Sequence, residues 1–92
     1  MNLTATIYSK DICPFCVKAK NLLAIKGISY DEYIISSGVN EAELGPNQYY
    51  ATLEELLEKV PTARSVPQIW LNDGSKSTYI GGFTELEAFF RE

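Results

Sequence analysis

The chain has 92 residues, 46% of them apolar, enough for one small hydrophobic core. Eight Lys and Arg against twelve Asp and Glu leave a net charge of −4, which excludes a surface built to wrap nucleic-acid phosphates. There is no histidine, and Cys13 and Cys16 are the only cysteines, so Ser-His-Asp catalysis, Cys-His catalysis and a closed four-ligand zinc site are excluded too.

Residues 3–8 (LTATIY) alternate and are rich in Thr and Ile, which predicts a strand. Pro14 suits the first position of a helix, where its missing N–H is not needed. Cys16, Ala19, Leu22 and Leu23 recur at helical spacing as its buried face, Lys18, Lys20 and Lys26 belong outside, and Gly27 ends it. A second strand is expected at residues 29–35. Residues 36–51 carry Gly38, Asn40, Gly45, Pro46 and Asn47, and read as a loop with one helical turn at residues 40–44. Tyr49 and Tyr50 within it either cover the core or form a partner surface.

Thr52-Leu53-Glu54-Glu55 is a capping box opening a second helix, with Leu53, Leu56, Leu57 and Val60 as its apolar stripe and Pro61 as its stop. Residues 66–71 predict a third strand and residues 76–80 a fourth, joined as a hairpin by Asn72-Asp73-Gly74. Gly81-Gly82 breaks that strand. Thr84-Glu85-Leu86-Glu87 reads as a second capping box, opening a last helix with Leu86, Phe89 and Phe90 inward. The order β-α-β-α-β-β-α predicts an α/β domain spanning residues 1–92, with a four-stranded mixed sheet and helices on both faces. No apolar run approaches the roughly 18 residues of a membrane helix, and the first residues lack a signal-peptide pattern, so a cytoplasmic location is expected.

The Cys-x-x-Cys pair falls at a strand-helix junction. Two small core cysteines, or half of an intermolecular zinc site, would be the bland account. Pro14 and the strand-helix-strand context favour redox chemistry instead. At the helix start, unpaired N–H groups and the helix dipole favour a thiolate on Cys13, and Lys10 can add positive charge. Cys16, one turn later on the same face, is placed as the resolving thiol.

Three segments carry a family resemblance. Residues 9–16 (SKDICPFC) resemble the active-site segment of the dithiol glutaredoxins, which have a thioredoxin-like fold. Residues 63–69 (ARSVPQI) resemble that family's second segment, and residues 80–86 (IGGFTEL) its third. The resemblance implies a glutathione-dependent dithiol oxidoreductase that reduces protein disulfides and glutathione mixed disulfides. It implies Cys13 as nucleophile, Cys16 as resolving thiol, and a cis Val66-Pro67 bond beside them. On the residues alone, Pro67 reads as a trans proline at a strand start.

The resemblance further implies a glutathione site. Lys10 and Arg64 would face the glycine carboxylate, and Phe15 would pack on the tripeptide. Val66 would pair with its backbone like an added strand, with Ser65 and Pro67 binding beside it. Gly82, Phe83 and Thr84 would offer N–H groups to the γ-glutamyl carboxylate, with Glu85 toward its amine. Phe15, Ser65 and Glu85 stand where the family usually has tyrosine, threonine and aspartate. No metal is expected. Ribonucleotide reductase is a usual client of the family, and nothing in these residues selects it. The compact, acidic chain resembles bacterial and phage members, and a monomer with no nucleic-acid or membrane partner is expected.

Two other functions use the same residues. A thioredoxin reductase could be the electron source, although Lys10, Arg64 and the Gly-Gly-Phe-Thr segment favour glutathione. Two chains and two glutathiones could hold an iron–sulfur cluster through Cys13, against which Pro14 argues because, in the family it resembles, a proline here accompanies the redox forms and stiffens the loop. A non-catalytic subunit would have no use for the Cys-x-x-Cys pair.

Overall fold

The computed structural model describes residues 3–35 and 44–91. The elements run β1 (Thr4–Ser9), α1 (Pro14–Ile25), β2 (Ser29–Ile35), β3 (Gln48–Ala51), α2 (Leu53–Lys59), β4 (Gln68–Asn72), β5 (Ser77–Gly81) and α3 (Phe83–Arg91). They form one five-stranded sheet in the order β3-β2-β1-β4-β5. The β1–β2 and β2–β3 pairs are parallel, and the β1–β4 and β4–β5 pairs antiparallel. The fold is thus the thioredoxin-like α/β class read from the sequence.

The strand count is corrected from four to five. Residues 48–51, expected within a loop, pair with β2 from Glu32↔Gln48 to Ile35↔Ala51. The helical turn expected at residues 40–44 falls largely outside the described residues.

Period-two burial along β1 divides the core. Ala5 and Ile7 face one side, where Ala19 and Leu23 of α1 and Leu86 of α3 cover them with Ile69 and Leu71 of β4. Tyr8 faces the other side and packs with Ala51, Leu56 and Val60. A row of aromatic rings crosses all five strands on that second face. Tyr49 stacks on Tyr33 at 5.1 Å, Tyr33 on Tyr8 at 5.1 Å, Tyr8 meets Trp70 edge-on at 5.5 Å, and Trp70 meets Tyr79 at 5.2 Å. Lys59 of α2 places its ammonium 5.9 Å from the Tyr8 ring and 5.6 Å from Trp70. Tyr49 and Tyr50 are both about half exposed, so they cover the core only in part.

Several side chains depart from expectation. Lys20, placed outside by its helical spacing, reaches back to the buried Glu32 of β2 at 2.9 Å. Ser9 donates to the same carboxylate at 2.6 Å and Gln48 at 3.1 Å, so β1, α1, β2 and β3 meet in one satisfied polar cluster. Leu53 and Phe89, assigned to apolar stripes, are largely exposed. Leu53 is the first residue of a short helix, and Phe89 instead meets Phe90 edge-on at 5.3 Å.

The α2 capping box is as expected: Glu55 N–H donates to Thr52 Oγ1 at 3.1 Å, and Thr52 N–H to Glu55 Oε2 at 3.4 Å. The second box is corrected. Helix α3 starts at Phe83, so Gly82 precedes it and Glu85, not Glu87, reaches back, accepting from Gly82 N–H at 2.7 Å.

Candidate active site

Three residues separate the end of β1 from Cys13, and the chain turns through Ile12 in the left-handed region at φ 52°. This delivers Cys13 to the N-cap of α1 in extended geometry, with Pro14 in the first turn. The Cys16 N–H donates to Cys13 Sγ at 3.3 Å, and the two cysteines form a disulfide with their Cα atoms 5.2 Å apart. Both cysteines are buried, Cys16 the more completely. Ile12 and Phe15 stand exposed on either side, so apolar surface frames the sulfurs. One first-turn donor is thus already aimed at Cys13 sulfur, the condition that favours its thiolate after reduction.

The second segment lies against the first. Val66-Pro67 is a cis bond, and Cys13 Sγ is 3.8 Å from the Val66 carbonyl oxygen. Once the disulfide opens, a thiol on Cys13 can donate across that contact. Gln68 anchors the segment from below: its amide donates to Ser65 O at 2.8 Å, and its side-chain oxygen accepts from the Tyr79 hydroxyl.

The third segment closes on the second at Gly82. A Cβ there would sit 3.3 Å from Glu85 Oε1 and 3.4 Å from the Pro67 carbonyl oxygen, so the two backbones run within contact distance of each other. The result is a groove of about 410 Å³ running from Phe15 past Ser65, Val66 and Pro67 to Gly82, Phe83, Thr84 and Glu85. Phe15 and Phe83 flank it with ring centroids 6.3 Å apart. The N-terminus of α3 faces the groove with its positive dipole end, although Glu85 takes the Gly82 N–H.

Lys10 and Arg64 lie elsewhere. Both are exposed and line a second cleft of about 230 Å³, which meets the groove only at Ser65 and Val66. Sequence reasoning missed Gln68, Tyr79, Ile80 and Gly81, which complete the groove wall. A glutamine directly after a proline, inside an expected strand, was the available signal for Gln68. Tyr79 gave none, because nothing in the sequence says which face of β5 meets the groove.

A family model described as "Glutaredoxin" matches residues 5–75. The chain belongs to the glutaredoxin family. It is 34% identical over 83 residues to a glutaredoxin of Neisseria meningitidis serogroup B, covering 90% of this chain and 80% of that protein. To glutaredoxin 3 of Escherichia coli it is 33% identical, over 89% of this chain and 80% of that protein. The crystal structure of glutaredoxin 1 from Francisella tularensis, complexed with cacodylate, superposes with a TM-score of 0.67 at 29% identity, covering 97% and 93% of the two chains. As a glutaredoxin, the chain is a thiol–disulfide oxidoreductase, and Cys13 and Cys16 are the pair available for that exchange. Among the described residues no cluster of three His, Cys, Asp or Glu side chains is placed to hold a metal ion, and no helix is long and apolar enough to cross a membrane.

Proposed function

We propose that this glutaredoxin draws its electrons from glutathione and reduces both protein disulfides and glutathione mixed disulfides. The observation that carries this reading is the groove that runs along Val66, whose carbonyl oxygen lies 3.8 Å from Cys13 Sγ, to the start of α3. A site for protein disulfides alone has no need of an anion seat there.

In the dithiol route the Cys13 thiolate attacks one sulfur of a protein disulfide. That S–S bond breaks, one protein thiolate leaves, and a mixed disulfide remains on Cys13. The Cys16 thiolate then attacks Cys13 sulfur, releasing the second protein thiolate and forming the Cys13–Cys16 disulfide. Two glutathione thiols restore the dithiol and leave as glutathione disulfide, so two electrons pass in each turnover. With a glutathione mixed disulfide, Cys13 attacks the glutathione sulfur and a second glutathione resolves the intermediate, without Cys16.

The tripeptide would lie extended beside Val66, pairing with its backbone as an added strand, with Ser65 and Pro67 shaping the wall. Phe15 would pack against it. Its γ-glutamyl carboxylate would meet the N–H groups of Gly82, Phe83 and Thr84. Glu85 would turn from Gly82 to the γ-glutamyl amine, and Lys10 and Arg64 would take the glycine carboxylate at the junction of the two clefts. Function as a monomer in the reducing cytoplasm fits this chemistry, and client disulfides such as that of ribonucleotide reductase are candidates.

The test is a coupled assay on a mixed disulfide and on a protein disulfide, once with glutathione and its reductase and once with thioredoxin reductase. Turnover with glutathione is expected. A zero rate with glutathione beside turnover with thioredoxin reductase would sink this reading.

A further inference from the structure

The second cleft has more in it than glutathione can use. Its mouth carries two cations, Lys10 and Arg64, and no acidic residue is among its described lining. Its interior is apolar, built from Ile35 at the end of β2 and from Leu53 and Leu57, which share one face of α2. Leu53 is 55% exposed, whereas Leu56 of the same helix is buried. Glutathione ends in glycine, which has no side chain to place among these residues. Its carboxylate accounts for the cations and leaves the leucines unused.

We propose that this cleft is a recognition subsite for protein substrates, taking an apolar side chain paired with an acidic one just after the reacting cysteine. The inference rests on the glutathione reading above, which sets the direction in which a substrate runs past Val66. A protein chain does not stop where glutathione stops. Its next residues pass Ser65 and Val66, the two residues common to both clefts, and enter the second. The apolar side chain is removed from water against Leu53 and Leu57, and the carboxylate stands in for the glycine carboxylate at Lys10 and Arg64. The same charge pattern rejects a basic flank, so the cleft selects among clients as well as binding them.

The experiment uses the Cys16→Ser protein with glutathione held on Cys13 as a mixed disulfide. It is equilibrated with free peptides Ala-Cys-Leu-Asp-Ala, Ala-Cys-Asp-Leu-Ala and Ala-Cys-Ser-Ser-Ala, and the displacement of glutathione is measured. At least one Leu/Asp peptide should displace glutathione about tenfold better than the serine peptide, as expected for burying one Leu side chain in part. Leu53→Ser, at an exposed position, should remove most of that preference, and Leu57→Ser should do the same. Both should leave turnover of the small mixed disulfide of glutathione and mercaptoethanol at the parent rate. Equal displacement by all three peptides overturns the proposal, and so does a preference that survives both substitutions. Failure of glutathione to form the starting mixed disulfide overturns the glutathione reading itself and this inference with it, a result distinct from equal displacement.

Discussion

The backbone N–H of Cys16 donates to the sulfur of Cys13 at 3.3 Å. The donor belongs to the first turn of α1, where N–H groups lack an intrahelical acceptor, so it is available to any negative charge placed at the cap. If Cys13 is the nucleophile, the backbone should supply the larger part of its activation and Lys10 the smaller.

The Cys13 thiol should accordingly titrate well below the free-thiol value of about 8.5. Lys10 is exposed and lines the neighbouring cleft, so its charge is screened. Lys10→Ala should move the Cys13 pKa only part of the way back. Thiolate absorbance against pH, in Cys16→Ser with and without Lys10, reads this directly. A return to about 8.5 on removing the lysine would transfer the activating role to it.

The two cysteines should separate by substrate. Cys13→Ser removes the nucleophile and should abolish turnover of every disulfide. Cys16→Ser should lose reduction of protein disulfides and keep a substantial part of its turnover of glutathione mixed disulfides. Steady-state rates on the two substrate types decide it, and equal losses in both variants would contradict the division of labour.

Glu32 predicts an acid limb of stability. Burial pushes its carboxyl up, but hydrogen bonds from Ser9, Gln48 and Lys20, and the Lys20 charge, outweigh that and hold it below its ordinary 4.5. Because the folded pKa is the lower one, the stabilisation is complete above the ordinary value and is lost as pH falls through the folded pKa. Urea midpoints measured at steps below about pH 5 should fall, and Glu32→Gln should flatten that fall. Lys20→Ala, which strands the buried charge, should cost about 2 kcal/mol at neutral pH, less than a fully buried pair because the ammonium is partly solvated.

Thr52 caps the helix that carries Leu53 and Leu57. Thr52→Ala removes the acceptor of the Glu55 N–H and should lower stability by about 1 kcal/mol. Thermal unfolding measures it, and Thr52→Ser, which keeps the oxygen, should restore most of the loss.

The elements with strong local grammar were readable from sequence. Pro14 after Cys13, the Thr52 box and the Asn72-Asp73-Gly74 turn each fix a boundary within a few residues, and all three fall where expected. Strand β3 was not readable because Gln48–Ala51 is four residues long, follows three punctuating residues, and exists through pairing with β2 far back in the chain. The start of α3 was misplaced by two residues because its N-cap is Gly82, which has no side chain to announce it, while Thr84 and Glu87 happen to fit the same template. Both cysteines and the groove-lining segments came from contiguous motifs. The separation of Lys10 and Arg64 into a second cleft is a tertiary fact, which spacing along the chain does not encode.

Trp70 is the one tryptophan of the chain, and its place in the aromatic row has an optical consequence. Its ring touches Tyr8 and Tyr79, and Tyr33 and Tyr49 continue the row to the far edge strand. Light absorbed by these tyrosines can pass from ring to ring to the indole. Emission excited through tyrosine therefore reports whether β3, β2, β1, β4 and β5 are still laid side by side. The helix that carries the cysteines packs on the opposite face of the sheet. The protein thus holds a built-in gauge of sheet integrity, and through Tyr79 in the groove wall and Val66 beside Cys13 that gauge borders the sulfur chemistry.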